Sequence, residues 1–203
     1  MRPFGGSGYT GAVTAPITKG ACAVGRIRLW IFLVCASLSA SGFAQQSSGE
    51  HAVEQDWVSF RLIPRTPDQV RAFYAGRSFP EGAIDLLAKH CFVTVIIENR
   101  SPDILWLDLG DWRFIAADLA PQRRDRSYWQ DQWQRLDLPP ANRATFGWTI
   151  LPEVRDLYPT ESVGGNLTLD DGAGPFSIEA HFPTGPDRKG VERVLRVDDV
   201  RCR

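Results

Sequence analysis

The sequence predicts a mainly β protein, an immunoglobulin-like β-sandwich with short helical insertions. Two observations carry this. Beyond residue 56 the chain runs through about seven to eight short segments rich in β-branched and aromatic residues, separated by turn signals. The strand–helix alternation that a parallel sheet requires is missing. Two cysteines, Cys91 and Cys202, remain beyond an N-terminal apolar run, an even pair that an oxidising compartment would bridge.

That apolar run, Leu29 to Ala40, follows Arg26 and Arg28 and precedes Gly42-Phe43-Ala44. A basic flank, a short apolar stretch and small residues before a cut describe a secretory signal peptide. The stretch is too short for a span, which needs about 20 apolar residues. Residues 1–44 are therefore expected to form the signal region, with cleavage after Ala44. Residues 1–25 are glycine-rich and nearly uncharged, and a start at Val24 would give a normal basic flank. Residues 45–203 hold 19 basic and 24 acidic side chains, a net charge of −5. That balance argues against nucleic acid as a partner, and the signal region implies a domain with no stable membrane span, periplasmic or secreted.

Residues 45–55 are polar and predict a flexible N-terminal segment; residues 56–203 read as one β-rich domain. Trp57 to Ile63 alternates Val58, Phe60 and Leu62 with polar residues, a half-buried strand that Pro64 ends. Thr66-Pro67-Asp68-Gln69 is a capping box with proline at the first helical position, and Gly76 can close the helix. Ser78 to Glu81 starts a second helix carrying Ile84, Leu87 and Ala88. Cys91 to Ile97 is a β-branched run, the natural central strand. Strands follow at Ile104–Leu109 and Asp111–Ile115. The charged stretch from Asp118 to Pro140 holds a short helix begun by Ser127 and Gln130, with Trp129, Trp133 and Leu136 on one face. Phe146, Trp148 and Ile150 alternate over Thr145–Leu151 as a strand would. Pro152 to Gly165 reads as a long loop, Leu167–Leu169 and Phe176–Phe182 as a hairpin across Asp170–Gly174, and Val191–Cys202 as a last strand.

The run Cys91 to Asp118, with Asn99-Arg100-Ser101, Ile104-Leu105-Trp106-Leu107 and Trp112-Arg113-Phe114, resembles periplasmic immunoglobulin-like accessory domains. The region beyond the signal segment resembles an uncharacterised family of exported Gram-negative bacterial proteins. The stretches that carry this are Phe73-Tyr74 with Phe79-Pro80, Cys91-Phe92-Val93-Thr94, Trp106-Leu107, Phe146-Gly147-Trp148-Thr149 with Leu151-Pro152-Glu153, and Gly165-Asn166. The resemblance implies export and confers no activity and no site residues.

Chemistry-bearing motifs are sparse. His51, His90 and His181 lie far apart, and neither a CxxC pair nor a Cys/His cluster occurs, so no metal and no cofactor is expected. Asp170-Asp171-Gly172 lacks the remaining carboxylates of a calcium loop and reads as a turn. No Gly-x-Ser-x-Gly is present. Trp57, Trp106, Trp112 and Trp148 fall in predicted strands and are expected in the core. Trp129 and Trp133 sit in the most charged stretch beside Tyr128, Arg123, Arg124 and Arg126, a set suited to flat or anionic ligands. A working surface there requires at least one of those two tryptophans to be exposed. The leading expectation is a non-enzymatic, disulfide-stapled periplasmic accessory domain that binds a protein or envelope component through residues 119–140 and the 152–165 loop. The alternative is an envelope enzyme acting on wall glycan or peptide, with Glu153, Asp156 or Glu161 as acid and base, which needs two of these to converge. A copper-handling accessory protein is the second alternative.

Overall fold

Apolar side chains at alternate positions of Val58–Arg65 and Cys91–Asn99 put one face of each strand into a core, and the rest of the chain is arranged around that face. The computed structural model describes residues 49–170 and 174–203. The predicted signal region and its cut, and residues 45–48, lie outside these residues, as do Asp171 to Ala173 of the predicted turn. The fold is mainly β, with three antiparallel sheets and four α-helices among the described residues.

The first sheet has the order β1(His51–Gln55), β2(Val58–Arg65), β3(Cys91–Asn99), β7(Ser162–Leu169). β1 is a correction to the flexible segment: His51 to Gln55 pairs with β2 from Leu62 to Val58. Its polar sequence is that of an edge strand with one wet side, which carries no apolar alternation. Pro64 does not end β2, since its partner Val93 lies on the β3 side. β1 reaches only Leu62, so the missing Pro64 N–H leaves no ladder position empty. Between β2 and β3 stand α1(Pro67–Ala75) and α2(Glu81–Leu87). The capping box of α1 is present as expected, with Thr66 Oγ1 accepting from the Gln69 amide and Gln69 from the Thr66 amide.

β4(Leu105–Asp108) pairs with β6(Val154–Leu157), and β5(Arg113–Ile115), β8(Phe176–Phe182) and β9(Arg193–Val200) form the third sheet in the order β5-β8-β9. The expected 167–182 hairpin does not form, because β7 joins the first sheet and β8 the third. Nor is 152–165 a long loop, since most of it is β6 and the start of β7. Inner-face residues of all three sheets, among them Phe60, Val95, Leu107, Leu157, Ile178 and Leu195, share one core. Phe60 packs edge-on to Phe182 with ring centres 6.4 Å apart. Cys91 and Cys202 are joined by a disulfide, as expected.

A second core lies on the outer face of the first sheet. There Phe92 meets α1, α2, α3(Arg126–Arg135) and α4(Pro140–Thr149) through Tyr74, Leu87, Trp129, Trp133 and Phe146. Helix α3 is capped by Asp125 rather than Ser127; its carboxylate accepts from the Tyr128 amide and the Ser127 hydroxyl, which hold its pKa below the usual range. Helix α4 replaces the strand expected over 145–151. Its residues turn through roughly 100° each, so Phe146 is buried while Trp148, two positions on, is 87% exposed. Trp148 is thus not a core residue.

Candidate functional site

Three polar side chains form a row across the outer face of the first sheet, one from each of β2, β3 and β7. Arg65 Nε donates to Thr94 Oγ1 at 2.8 Å, and Thr94 Oγ1 donates to Asn166 Oδ1 at 2.8 Å. Above the row, Thr149 at the end of α4 donates its single hydroxyl proton to Phe146 O at 2.8 Å. The 2.8 Å contact between Tyr74 and Thr149 must therefore run from the phenol to Thr149 Oγ1. Asn166 spends its carbonyl on Thr94, and its side chain helps to offset the rise in the Tyr74 pKa. The result is a directed polar chain in two runs, Arg65 to Thr94 to Asn166 and Tyr74 to Thr149 to Phe146 O, in which every hydroxyl donates. Chains of this polarity reinforce one another where water is scarce. Burial pushes the Tyr74 pKa up to about 12, so the phenol stays protonated and keeps its donor role.

This chain floors a groove of about 540 Å³ between α1, α4 and the sheet. Phe73, 37% exposed, and Trp148 are its aromatic walls. The Arg65 guanidinium is anchored through Nε alone, and its two terminal nitrogens have no partner among the described residues. Volume, apolar walls and a few fixed polar groups are what ligand sites share. The floor exists because β7 carries Gly164 and Gly165 where α4 runs into the Ile150–Leu151 segment. Ile150 bridges Asn166 in parallel, and a Cβ on Gly165 would meet Leu151 N at 2.5 Å and Ile150 C at 2.8 Å. Gly165→Ala is expected to destabilise by about 2–3 kcal/mol, the usual cost of overpacking against atoms that cannot turn aside. Chemical denaturation checks this, and an unchanged midpoint would mean that the segment is not held against β7.

The residues singled out by sequence fall elsewhere. Trp129 and Trp133 are 1% and 3% exposed, stacked on each other at 5.1 Å and packed on Phe146, so the expected exposure of either is wrong. A short helix with an apolar face beside a sheet buries that face, whatever the charge of its flanks. Arg123 is bound to Glu153 at 2.6 Å; Arg124 reaches Asp170 at 3.6 Å and lies over the Tyr128 ring. Tyr128 itself contacts His90 Nε2 at 2.8 Å. Of the six, Arg126 alone is exposed, at the mouth of a cavity of about 340 Å³ between α3 and α4 whose inner wall includes both tryptophans.

The carboxylates each have separate partners. Glu153 is held by the Arg123 side chain and the Arg126 amide. Glu161 accepts from the Tyr158 amide in the β6–β7 turn, and Asp156 stands opposite Trp106 in the β4–β6 ladder. Of the histidines, His51 lies on β1 and His90 on the α2–β3 connection. His181 is fixed between Glu179 at 3.0 Å and Glu192 at 3.4 Å; the Glu179 hydrogen bond, with help from Glu192, raises its pKa. Among the described residues no group of three or more His, Cys, Asp or Glu side chains could hold a metal ion. None of Arg65, Tyr74, Thr94, Trp148 and Asn166 was expected from sequence to be a site residue. Two adjacent glycines beside Asn166, inside a strand, were the available signal of close backbone approach.

No family model matches the chain. No curated protein matches it. Among solved structures, one of a "putative lipoprotein (ycdA)" from Bacillus subtilis subsp. subtilis str. 168 is similar at a TM-score of 0.37 and 14% sequence identity. The match covers 76% of this chain and 39% of that one, so the chain spans about two fifths of the length of the protein it matches. Among the described residues no helix is long and apolar enough to cross a membrane.

Proposed function

We propose that this chain is an exported, non-enzymatic accessory domain, periplasmic or secreted, that binds a component of the bacterial envelope in the groove between α1, α4 and the first sheet. In this reading the sheets form an immunoglobulin-like sandwich, and the helices laid on its outer face shape the site. Residues 1–44 act as the signal region and residues 56–203 as the single working domain. The observation that carries it is the groove itself. A hydrogen-bond chain with every hydroxyl in use lies under two aromatic walls, and one guanidinium keeps its fork open to a ligand. The Cys91–Cys202 bridge and the apolar N-terminal run support the oxidising, exported setting. The separate engagements of Glu153, Asp156 and Glu161 favour binding over hydrolysis at those carboxylates.

The test places a photo-crosslinking amino acid at Trp148 in the full chain in intact cells, with exposed Val191 as the comparison position. A discrete adduct from position 148, absent from position 191 and weakened several-fold by Asn166→Ala, is the expected result. Identical patterns from both positions would sink the proposal.

A further inference from the structure

We infer, on the strength of that binding role, that the ligand is an acidic polysaccharide running past Trp148 into a second, arginine-lined depression. Three hollows meet at the C-terminal end of α4. The groove shares Trp148 and Gly164 with a neighbouring hollow of about 480 Å³. That hollow shares Arg126, Arg143, Gly147 and Ile150 with the cavity between α3 and α4. The charged side chains lining all three are Arg65, Arg126, Arg143 and Arg155, with no carboxylate among the described residues. This cationic seam lies on a domain whose net charge is −5.

The arginines are not used up by the fold. Arg126 and Arg155 make no side-chain ion pair among the described residues, unlike Arg123 and Arg124 nearby. Arg143 is oriented by a 2.6 Å hydrogen bond from Nε to Leu138 O, and its one ion-pair partner among the described residues is the exposed Asp137 at 3.9 Å. Guanidinium forks of one sign, gathered along concave walls, draw carboxylates and hold them in a fixed plane.

Trp148 decides the rest of the ligand. Its indole stands 87% exposed where the hollows join, a flat apolar face suited to a sugar ring. In the groove the side-chain amides of Gln69 and Asn166 are offered to hydroxyl groups. An acidic peptide fits less well. Extended peptides gain affinity by adding to a sheet edge, and the floor here is a sheet face whose β3 backbone is committed to β2 and β7.

Titration of the chain with a galacturonic acid hexamer tests this, using cellohexaose and hexaglutamate as comparison ligands. The acidic hexamer should bind with a change in tryptophan fluorescence, at least tenfold tighter than either comparison, and weaken as salt rises. Trp148→Ala should weaken it about tenfold, and Arg155→Ala about three- to fivefold. Arg193→Ala, on β9 of the third sheet, should leave it unchanged. Both of these variants alter exposed side chains, and matching thermal melts exclude misfolding. Hexaglutamate binding as tightly, or acidic-hexamer binding indifferent to Trp148→Ala and Arg155→Ala, overturns the inference. If the hexamer fails while the position-148 adduct persists in cells, the ligand class is wrong and the binding role stands. If neither is seen, both fall.

Discussion

Trp129→Ala is expected to lower the unfolding free energy by about 3–5 kcal/mol, the range for truncating a large buried aromatic. Its indole is 1% exposed and holds the helical layer to the sheet from three directions. It stacks on Trp133, touches Phe146 with ring centres 5.0 Å apart, and lies 4.8 Å from His90. Nε1 also donates to Thr168 Oγ1 at 2.8 Å, and Thr168 in turn donates to Arg124 O. The substitution removes volume that the surrounding rings cannot refill and cuts the link from α3 to β7. Trp129→Phe keeps most of the volume and loses the hydrogen bond, so about 1–2 kcal/mol should go. Urea denaturation separates the two. Equal stability of Trp129→Ala and the parent would mean that α3 is not packed on the sheet.

Cys202→Ala should cost about 4–5 kcal/mol under oxidising conditions. The bridge closes a ring with a sequence separation of 111, and that constraint on the unfolded chain is what the substitution releases. Guanidinium denaturation with and without reductant provides the check, because the reduced parent should fall to the level of the variant. Two free thiols by intact-mass measurement of protein purified without reductant would contradict the bridge.

The parts of this fold legible in the sequence are those set by local chemistry or by strong composition. Thr66, Pro67 and Gln69 specify the start of α1 within four residues, and the structure shows both arms of that capping box. The β-branched run at Cys91 marks the central strand, because only a strand with neighbours on both sides buries so much. Pairing between distant segments was not legible. The turn residues between β7 and β8 suit a hairpin, yet the hydrogen-bonding edges of the two strands are claimed by different sheets. In α4, three aromatic and aliphatic residues two apart imitate a strand, and the better signal was Pro139-Pro140 ahead of them. The candidate site was missed for the same reason. Its polar row draws one residue from each of three strands, and its walls come from helices about 75 residues apart in the chain. The tryptophans that drew attention were conspicuous by composition, and composition says nothing about which way a helix turns its face.

The bridge between Cys91 and Cys202 also changes how the molecule bears load. A tension applied beyond Cys202 does not peel β9 from β8; it passes through the sulfur atoms into β3, the middle of the first sheet. The enclosed stretch can then add no length when the domain gives way, a shortfall of about 370–400 Å against the reduced chain. What yields first is the β1–β2 side and the α1–α2 pair, so the edge opposite the fastening acts as the mechanical hinge of the domain.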